Sequence, residues 1–356
     1  RVTTENGAGP LKWVAWESTK RCNLKCVHCR SSAGDTGTEG LGTERARALM
    51  DRVAEFARPV FVLSGGEPLL RPDIFDLAAY GTSLGFKMAL ATNGSLVDDR
   101  ACESIRSSGI RIAALSLDGP EAAVHDDFRK QAGSFDAVLS AARKFREHSI
   151  DFVINSSFTQ RNRARIADTC ALAKELGAKA WYMFLVVPMG RGKDLMDEMI
   201  PPAEHEGILK WHYGAETGEE TMLMRPTCAP SYYRIFAQES GKSGRPAGRR
   251  ALNFSPGGGR GCVAARSIAY IGAAGEVYPC SYFTRGAGNI FDRGLRDIWD
   301  SELFRAFREY GGYGRCGRCE YRESCGGCRA RALIYNGDMK ADDPCCGHVP
   351  APGGTL

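Results

Sequence analysis

Three cysteines within eight residues, Cys22-Asn-Leu-Lys-Cys26-Val-His-Cys29, carry the densest chemistry in the chain. Three thiolates on one tight loop can hold three irons of a 4Fe-4S cluster and leave the fourth iron open to another ligand. An open iron implies reaction rather than support. A structural zinc ion suits the triplet poorly, since no fourth cysteine lies near it. Nine more cysteines gather in the last third: Cys228, Cys262, Cys280, Cys316, Cys319, Cys325, Cys328, Cys345 and Cys346. The run Cys316-x2-Cys319-x5-Cys325-x2-Cys328 fits either a zinc knuckle or an iron-sulfur cluster. The two remaining cysteines, Cys102 and Cys170, fall in alanine-rich helical stretches and read as small hydrophobes.

Ser64-Gly65-Gly66-Glu67-Pro68 is a second candidate. Two glycines let a backbone come close to a ligand, and Glu67 offers a carboxylate to an ammonium group. Taken alone, the segment is also an ordinary strand-to-helix turn with Pro68 opening the helix. Two other glycine signals lead nowhere. Gly241-Lys242-Ser243 ends like a phosphate loop, but Phe236 stands where that loop needs its first glycine. Gly257-Gly258-Gly259 opens no helix and reads as a linker.

These residues need elements to position them. From Trp13 to about Pro188, apolar runs alternate with amphipathic helical stretches, as βαβ units require. The expected strands are 13–17, 60–64, 87–91, 111–116, 152–157 and 181–187. The expected helices are 72–84, 98–107, 135–148 and 163–176, with Gly85, Gly109 and Gly177 at their ends. The polar segments follow strand C-termini, and no dinucleotide fingerprint follows the first strand, which favours a barrel-type arrangement over an open doubly wound sheet. The expected fold is therefore α/β, a partial (β/α)6 TIM-like barrel over 12–225. A small cysteine-rich domain over 226–356 follows, with a linker at 240–261, a hairpin at 267–278 and a helix at 295–310.

The 356 residues suit about two domains at roughly 150 residues each. With 43% hydrophobic and 25% charged residues, the chain has the composition of a folded globular protein. Its 47 Lys and Arg barely exceed its 42 Asp and Glu and are dispersed, which argues against nucleic acid as a partner. No apolar run reaches membrane-spanning length and the start does not read as a signal peptide, so a cytoplasmic location without membrane contact is expected.

The cysteine triplet followed by Gly-Gly-Glu-Pro resembles the radical S-adenosylmethionine (SAM) superfamily. The resemblance implies that Cys22, Cys26 and Cys29 are catalytic cluster ligands, that His28 fills an aromatic position of the motif, and that Gly65, Gly66, Glu67 and Pro68 bind the methionine end of SAM. Thr92-Asn93-Gly94 and Ser116-Leu117-Asp118-Gly119 resemble segments that line the cofactor. The C-terminal cysteines resemble the SPASM extension, which binds auxiliary 4Fe-4S clusters, though its last spacing here is x2 where x3 is usual. That implies one cluster on Cys262, Cys280 and Cys328 with Cys228, and another on Cys316, Cys319, Cys325 and either Cys345 or Cys346.

Thr227-Cys-Ala-Pro-Ser-Tyr-Tyr-Arg234 and Cys325-Gly-Gly-Cys-Arg-Ala-Arg-Ala332 resemble the branch that modifies iron tetrapyrroles in the siroheme-dependent heme pathway. The expected reaction is removal of two acetate side chains from 12,18-didecarboxysiroheme. The alternatives are a heme synthase that turns two propionates of Fe-coproporphyrin III into vinyls, a peptide-modifying SPASM enzyme, and a non-catalytic electron carrier. A reducing donor such as flavodoxin or ferredoxin is implied, and anaerobic chemistry with it. A macrocycle with several carboxylates calls for guanidinium groups, and Arg30, Arg71, Arg129, Arg161 and Arg191 lie near strand C-termini. Tyr182 and His28 are candidates to stack on a flat ring.

Overall fold

Each of the six expected apolar runs forms a strand, and three further strands extend the sheet. The computed structural model describes residues 9–34, 40–243, 260–309 and 313–351. The strands are β1 (Trp13–Thr19), β2 (Val60–Gly65), β3 (Lys87–Thr92), β4 (Ile112–Ser116), β5 (Phe152–Phe158), β6 (Ala180–Leu185), β7 (Leu223–Thr227), β8 (Ile268–Ile271) and β9 (Val277–Tyr278). They lie in the order β7-β6-β5-β4-β3-β2-β1-β8-β9. All neighbours are parallel except β8 and β9, which form the hairpin that the glycines at 272 and 275 announce. The sheet curves without closing, because β7 and β9 are its two edges.

Two strands depart from the expectation. β7 has no alternating pattern and contains Pro226, whose missing N–H is tolerated because β7 is an edge strand. β8 was expected to belong only to a hairpin of the second domain, yet it pairs with β1 from Trp13 to Trp16. The cysteine-rich third of the chain thus shares the barrel sheet.

The helices that cover the sheet are α1 (Thr43–Ala54), α2 (Ile74–Ser83), α3 (Asp99–Ser107), α4 (Ala122–Arg129), α5 (Ser134–Glu147), α6 (Ile166–Glu175), α7 (Pro202–Gly218) and α8 (Ser231–Ser243). Gly85, Gly109 and Gly177 follow α2, α3 and α6 with φ of +84°, +81° and +86°, a left-handed stop that costs a glycine little. The Asp98 carboxylate caps α3 by accepting from the Ala101 N–H at 2.7 Å. In the last third lie α9 (Leu295–Trp299), α10 (Glu302–Arg308), α11 (Gly314–Arg318) and α12 (Arg329–Asn336). The single helix expected over 295–310 is thus two, because Ser301 adopts an extended conformation and starts α10 as its cap. Most of the expected linker at 240–261, with Gly257-Gly258-Gly259, lies outside the described residues.

The two faces of the sheet bury different side chains. Trp16, Phe61, Leu63, Leu90, Ile154 and Trp181 join the core beneath the helices. Burying each such side chain is worth roughly 1.5–3 kcal/mol. The inner face carries Ala15, Val62, Ala89, Val153 and Ala180, with Ala91, Ala114 and Tyr182 above them. Cys102 and Cys170 pack in the outer core, as their surroundings suggested.

Candidate active site

The cysteine loop leaves the C-terminal end of β1. Its ends are closed by Cys22 N–H to Gly34 O at 3.1 Å and Gly34 N–H to Lys20 O at 3.2 Å. Two arginines clamp it from outside. Arg191 donates through Nε to Cys26 O at 2.9 Å and through a terminal nitrogen to Ala33 O at 2.6 Å. Arg129, at the end of α4, donates to Cys26 Sγ at 3.7 Å and ion-pairs with Asp118 at 2.6 Å. Gly190 presses on the same loop, since a Cβ there would lie 2.4 Å from both Cys29 O and Arg30 O.

Cys22, Cys26 and Cys29 form one packed group with Leu24 and Ala33. Burial pushes the Cys22 thiol up to about 11, and raises that of Cys26 although Arg129 opposes the shift. Cys22 and Cys26, crowded thiols that resist ionisation, are better suited to share with Cys29 an iron cluster, whose positive charge stabilises thiolates, than to stand alone. The donor set therefore fits a 4Fe-4S cluster with one open iron.

The Gly-Gly-Glu-Pro turn lies directly against this loop. A Cβ on Gly65, whose φ is +137°, would meet Thr19 O at 2.3 Å, and one on Gly66 would meet Arg21 O at 2.0 Å. Both glycines are therefore required by the backbone that leads into Cys22, a packing reason that sequence alone does not separate from ligand approach. Glu67 is fully buried and turned inward. Its carboxylate accepts from Thr92 Oγ1 at 2.8 Å, Asn93 N–H at 2.7 Å and Leu69 N–H at 3.1 Å. Burial raises its pKa to about 7 against these donors. Glu67 so braces the end of β3 against the turn, while Pro68 opens a short 3-10 turn. Asn93 continues the brace by donating to Asn23 Oδ1 in the cysteine loop at 2.9 Å.

Asp118 follows β4 and is completely buried, accepting from Ser157 N–H at 2.7 Å besides pairing with Arg129. Ser116 occupies the last position of β4. His28 does not present a free ring face on that side. It stacks on Phe128 with centroids 4.4 Å apart, and burial keeps its pKa well below the ordinary imidazole value. The structure thus brings His28, Gly65, Gly66, Glu67, Pro68, Thr92, Asn93, Ser116 and Asp118 to the strand ends around one loop.

In the last third, two glycines settle the unusual spacing. Gly326 and Gly327 both take left-handed φ, +71° and +64°, so the chain turns sharply between Cys325 and Cys328. Cys328 then joins Cys228, Cys262 and Cys280, which raise one another's thiol pKa values after burial has done so. Cys316, Cys319, Cys325 and Cys346 line a separate cavity. Cys345 does not line that cavity; it lies near Arg331, Asp343 and Cys328, its N–H bonded to Asp343 Oδ1 at 3.1 Å. Asp343 is a hub that sequence reasoning missed: buried, it accepts from Cys328 N–H at 2.7 Å and ion-pairs with Arg331 at 3.2 Å. Arg329 donates to Cys316 Sγ at 3.3 Å. Its signal was present in the Arg-Ala-Arg segment, but nothing in the sequence said which carboxylate or sulfur would face it.

Comparison with known proteins agrees with this geometry. Residues 16–173 match the Radical SAM superfamily, and residues 262–329 match the SPASM family, described as an iron-sulfur cluster-binding domain. The AdoMet-dependent heme synthase of Methanosarcina barkeri strain Fusaro is 40% identical, over 95% of this chain and 96% of its own length. The chain belongs to the radical SAM superfamily. A second relative from the same organism, named Fe-coproporphyrin III synthase, is 29% identical over 94% of this chain and 87% of its own. Streptococcus suis SuiB bound to S-adenosylmethionine superposes with a TM-score of 0.72 at 18% identity, over 96% of this chain and 78% of that one, and shows the shared fold. The radical SAM enzyme therefore has the expected partial barrel, with 4Fe-4S and auxiliary clusters and SAM as cofactors. Among the described residues, no helix is long and apolar enough to cross a membrane.

Proposed function

We propose that this radical SAM enzyme converts two propionate side chains of Fe-coproporphyrin III into vinyl groups. The observation that carries the choice of step is the difference in likeness, 40% to a heme synthase against 29% to an Fe-coproporphyrin III synthase, each over nearly the whole chain. It favours the decarboxylating step over the acetate removal to which the short motifs pointed, because those motifs are shared by both branches.

In this reading Cys22, Cys26 and Cys29 hold the radical cluster. Cys228, Cys262, Cys280 and Cys328 hold one auxiliary cluster, and Cys316, Cys319, Cys325 and Cys346 hold another. When bound, the clusters and SAM supply a 5′-deoxyadenosyl radical and a one-electron acceptor for the substrate radical that follows. The chain's own residues hold and shield this chemistry. Arg129 fixes Cys26 and answers the Asp118 charge, while Arg191 ties the middle of the cysteine loop to the residue before its closing end. Glu67 holds Thr92 and Asn93 at the rim where SAM is to lie, and the Gly65-Gly66-Glu67-Pro68 turn is to meet its methionine end. The barrel part is assigned to 12–225 and the cluster part to 226–356, with reducing equivalents from a flavodoxin- or ferredoxin-like donor in the cytoplasm.

The test is anaerobic turnover of the cluster-reconstituted chain with SAM and reductant, read by mass spectrometry of the tetrapyrrole. Loss of two carboxyl groups from Fe-coproporphyrin III is expected. Loss of two acetate units from 12,18-didecarboxysiroheme, with Fe-coproporphyrin III unchanged, overturns the choice of step.

A further inference from the structure

Five arginines stand near the strand C-termini, and four of them are used within the protein. Arg71 grips Asp73 at 2.8 and 2.7 Å, Arg129 pairs with Asp118, Arg161 pairs with Glu198 and Asp127, and Arg191 binds loop carbonyls. Arg30 differs. Among the described residues it has no carboxylate within ion-pair distance, and its bond to Ser281 O is long, at 3.5 Å. Its guanidinium sits 4.4 Å over the ring of Tyr270, on the barrel side of β8 beside Ala15 and Val60.

The neighbours of Arg30 are unsatisfied as well. The Tyr270 hydroxyl and Glu17 Oε1 are buried, in residues only 6% and 5% exposed, and make no hydrogen bond of good geometry, although Arg30, Tyr270 and Glu17 lie close enough for their charges to act on one another. A buried phenol without a good hydrogen bond keeps its desolvation penalty, so such groups ordinarily meet a ligand or water. Glu17 stays outside ion-pair distance of Arg30, and its charge acts on both the guanidinium and the Tyr270 phenol. The position is equally informative. Arg30 directly follows the radical-site ligand Cys29, and its acceptor Ser281 directly follows Cys280 of the auxiliary set.

We propose that Arg30 and Tyr270 form the subsite that holds one propionate carboxylate of the tetrapyrrole, between the radical-generating loop and the nearer auxiliary thiol set. This rests on the reading of the enzyme as one acting on a carboxylate-bearing macrocycle. The guanidinium supplies the paired donors, and the phenol supplies a third. A side chain anchored there would lie between the residues that would hold the radical cluster and those that would hold the nearer auxiliary cluster.

The test is equilibrium binding to the reconstituted full chain, followed by the Soret absorbance of Fe-coproporphyrin III and of its tetramethyl ester. Arg30→Gln is expected to weaken binding of the free acid by about tenfold or more and to leave the ester nearly unaffected, with Arg30→Lys in between. Tyr270→Phe is expected to weaken the acid severalfold at unchanged iron content. Wild-type affinity for the acid in Arg30→Gln overturns the subsite. If that variant loses iron, unchanged acid affinity in Tyr270→Phe overturns it instead. If the wild-type chain binds only didecarboxysiroheme, the proposed step fails, and the same acid-to-ester comparison on that macrocycle still decides the subsite. Binding of neither macrocycle overturns both.

Discussion

The adjacent cysteines Cys345 and Cys346 give a sharp test, because one of them faces the second thiol cavity and its neighbour does not. Cys346 lines that cavity with Cys316, Cys319 and Cys325, while Cys345 does not and lies near Arg331 and Cys328. Consecutive residues on an extended or turning backbone point apart, so a single substitution separates their roles. One site of three thiols and two of four would hold about twelve irons per chain as three 4Fe-4S clusters. Cys346→Ala removes one of four ligands from a single site, and the expected iron content falls from about twelve towards about eight. Cys345→Ala leaves a complete set at every site and is expected to keep about twelve. The assay is iron and sulfide determination on anaerobically reconstituted protein, with electron paramagnetic resonance of the reduced state to count cluster signals. Full iron content in Cys346→Ala together with loss in Cys345→Ala would refute the reasoning from side-chain direction.

Gly66→Ala drives a Cβ against Arg21 O and displaces the start of the cysteine loop; about four irons should be lost, with the auxiliary signals retained in the spectrum. Arg129→Met leaves the buried Asp118 without its counter-ion, and chemical denaturation should show a loss of about 3–5 kcal/mol. Glu67 has a pKa raised from 4.5 to about 7, so its folded form binds a proton that the unfolded chain releases between those values. Its contribution is therefore fully present below pH 4.5 and is lost as the pH rises through about 7, a change of about 3 kcal/mol at most. Denaturant midpoints of wild type and Glu67→Gln measured across that range should diverge in slope, with the variant the flatter; parallel curves would contradict the assignment.

Local pattern was enough for the elements that carry the chemistry. The cysteine triplet, the Gly-Gly-Glu-Pro turn and six strands depend on residue types within a few positions of one another, and short-range periodicity records them. The glycines that end α2, α3 and α6 were legible for the same reason, since a left-handed stop is a local demand. β7 was not, because an edge strand with a proline follows no alternation. Nor was the pairing of β8 with β1, which joins segments about 250 residues apart. Long-range pairing is decided by burial of both partners, which neither segment carries alone.

The same division holds within the site. Sequence by itself determined which atoms could do chemistry: three thiols with room for an open iron, a carboxylate in a glycine turn, and nine further cysteines, enough for two more clusters. Only the tertiary structure decided how those atoms are spent. It turned Glu67 inward as a brace, committed Arg71, Arg129, Arg161 and Arg191 to internal partners, stacked Arg30 on the buried ring of Tyr270, and set Cys346 in the wall of the second thiol cavity. A side chain's type is fixed by the chain, but its partner is fixed by what the fold brings within about 3 Å of it, where hydrogen bonds and ion pairs act.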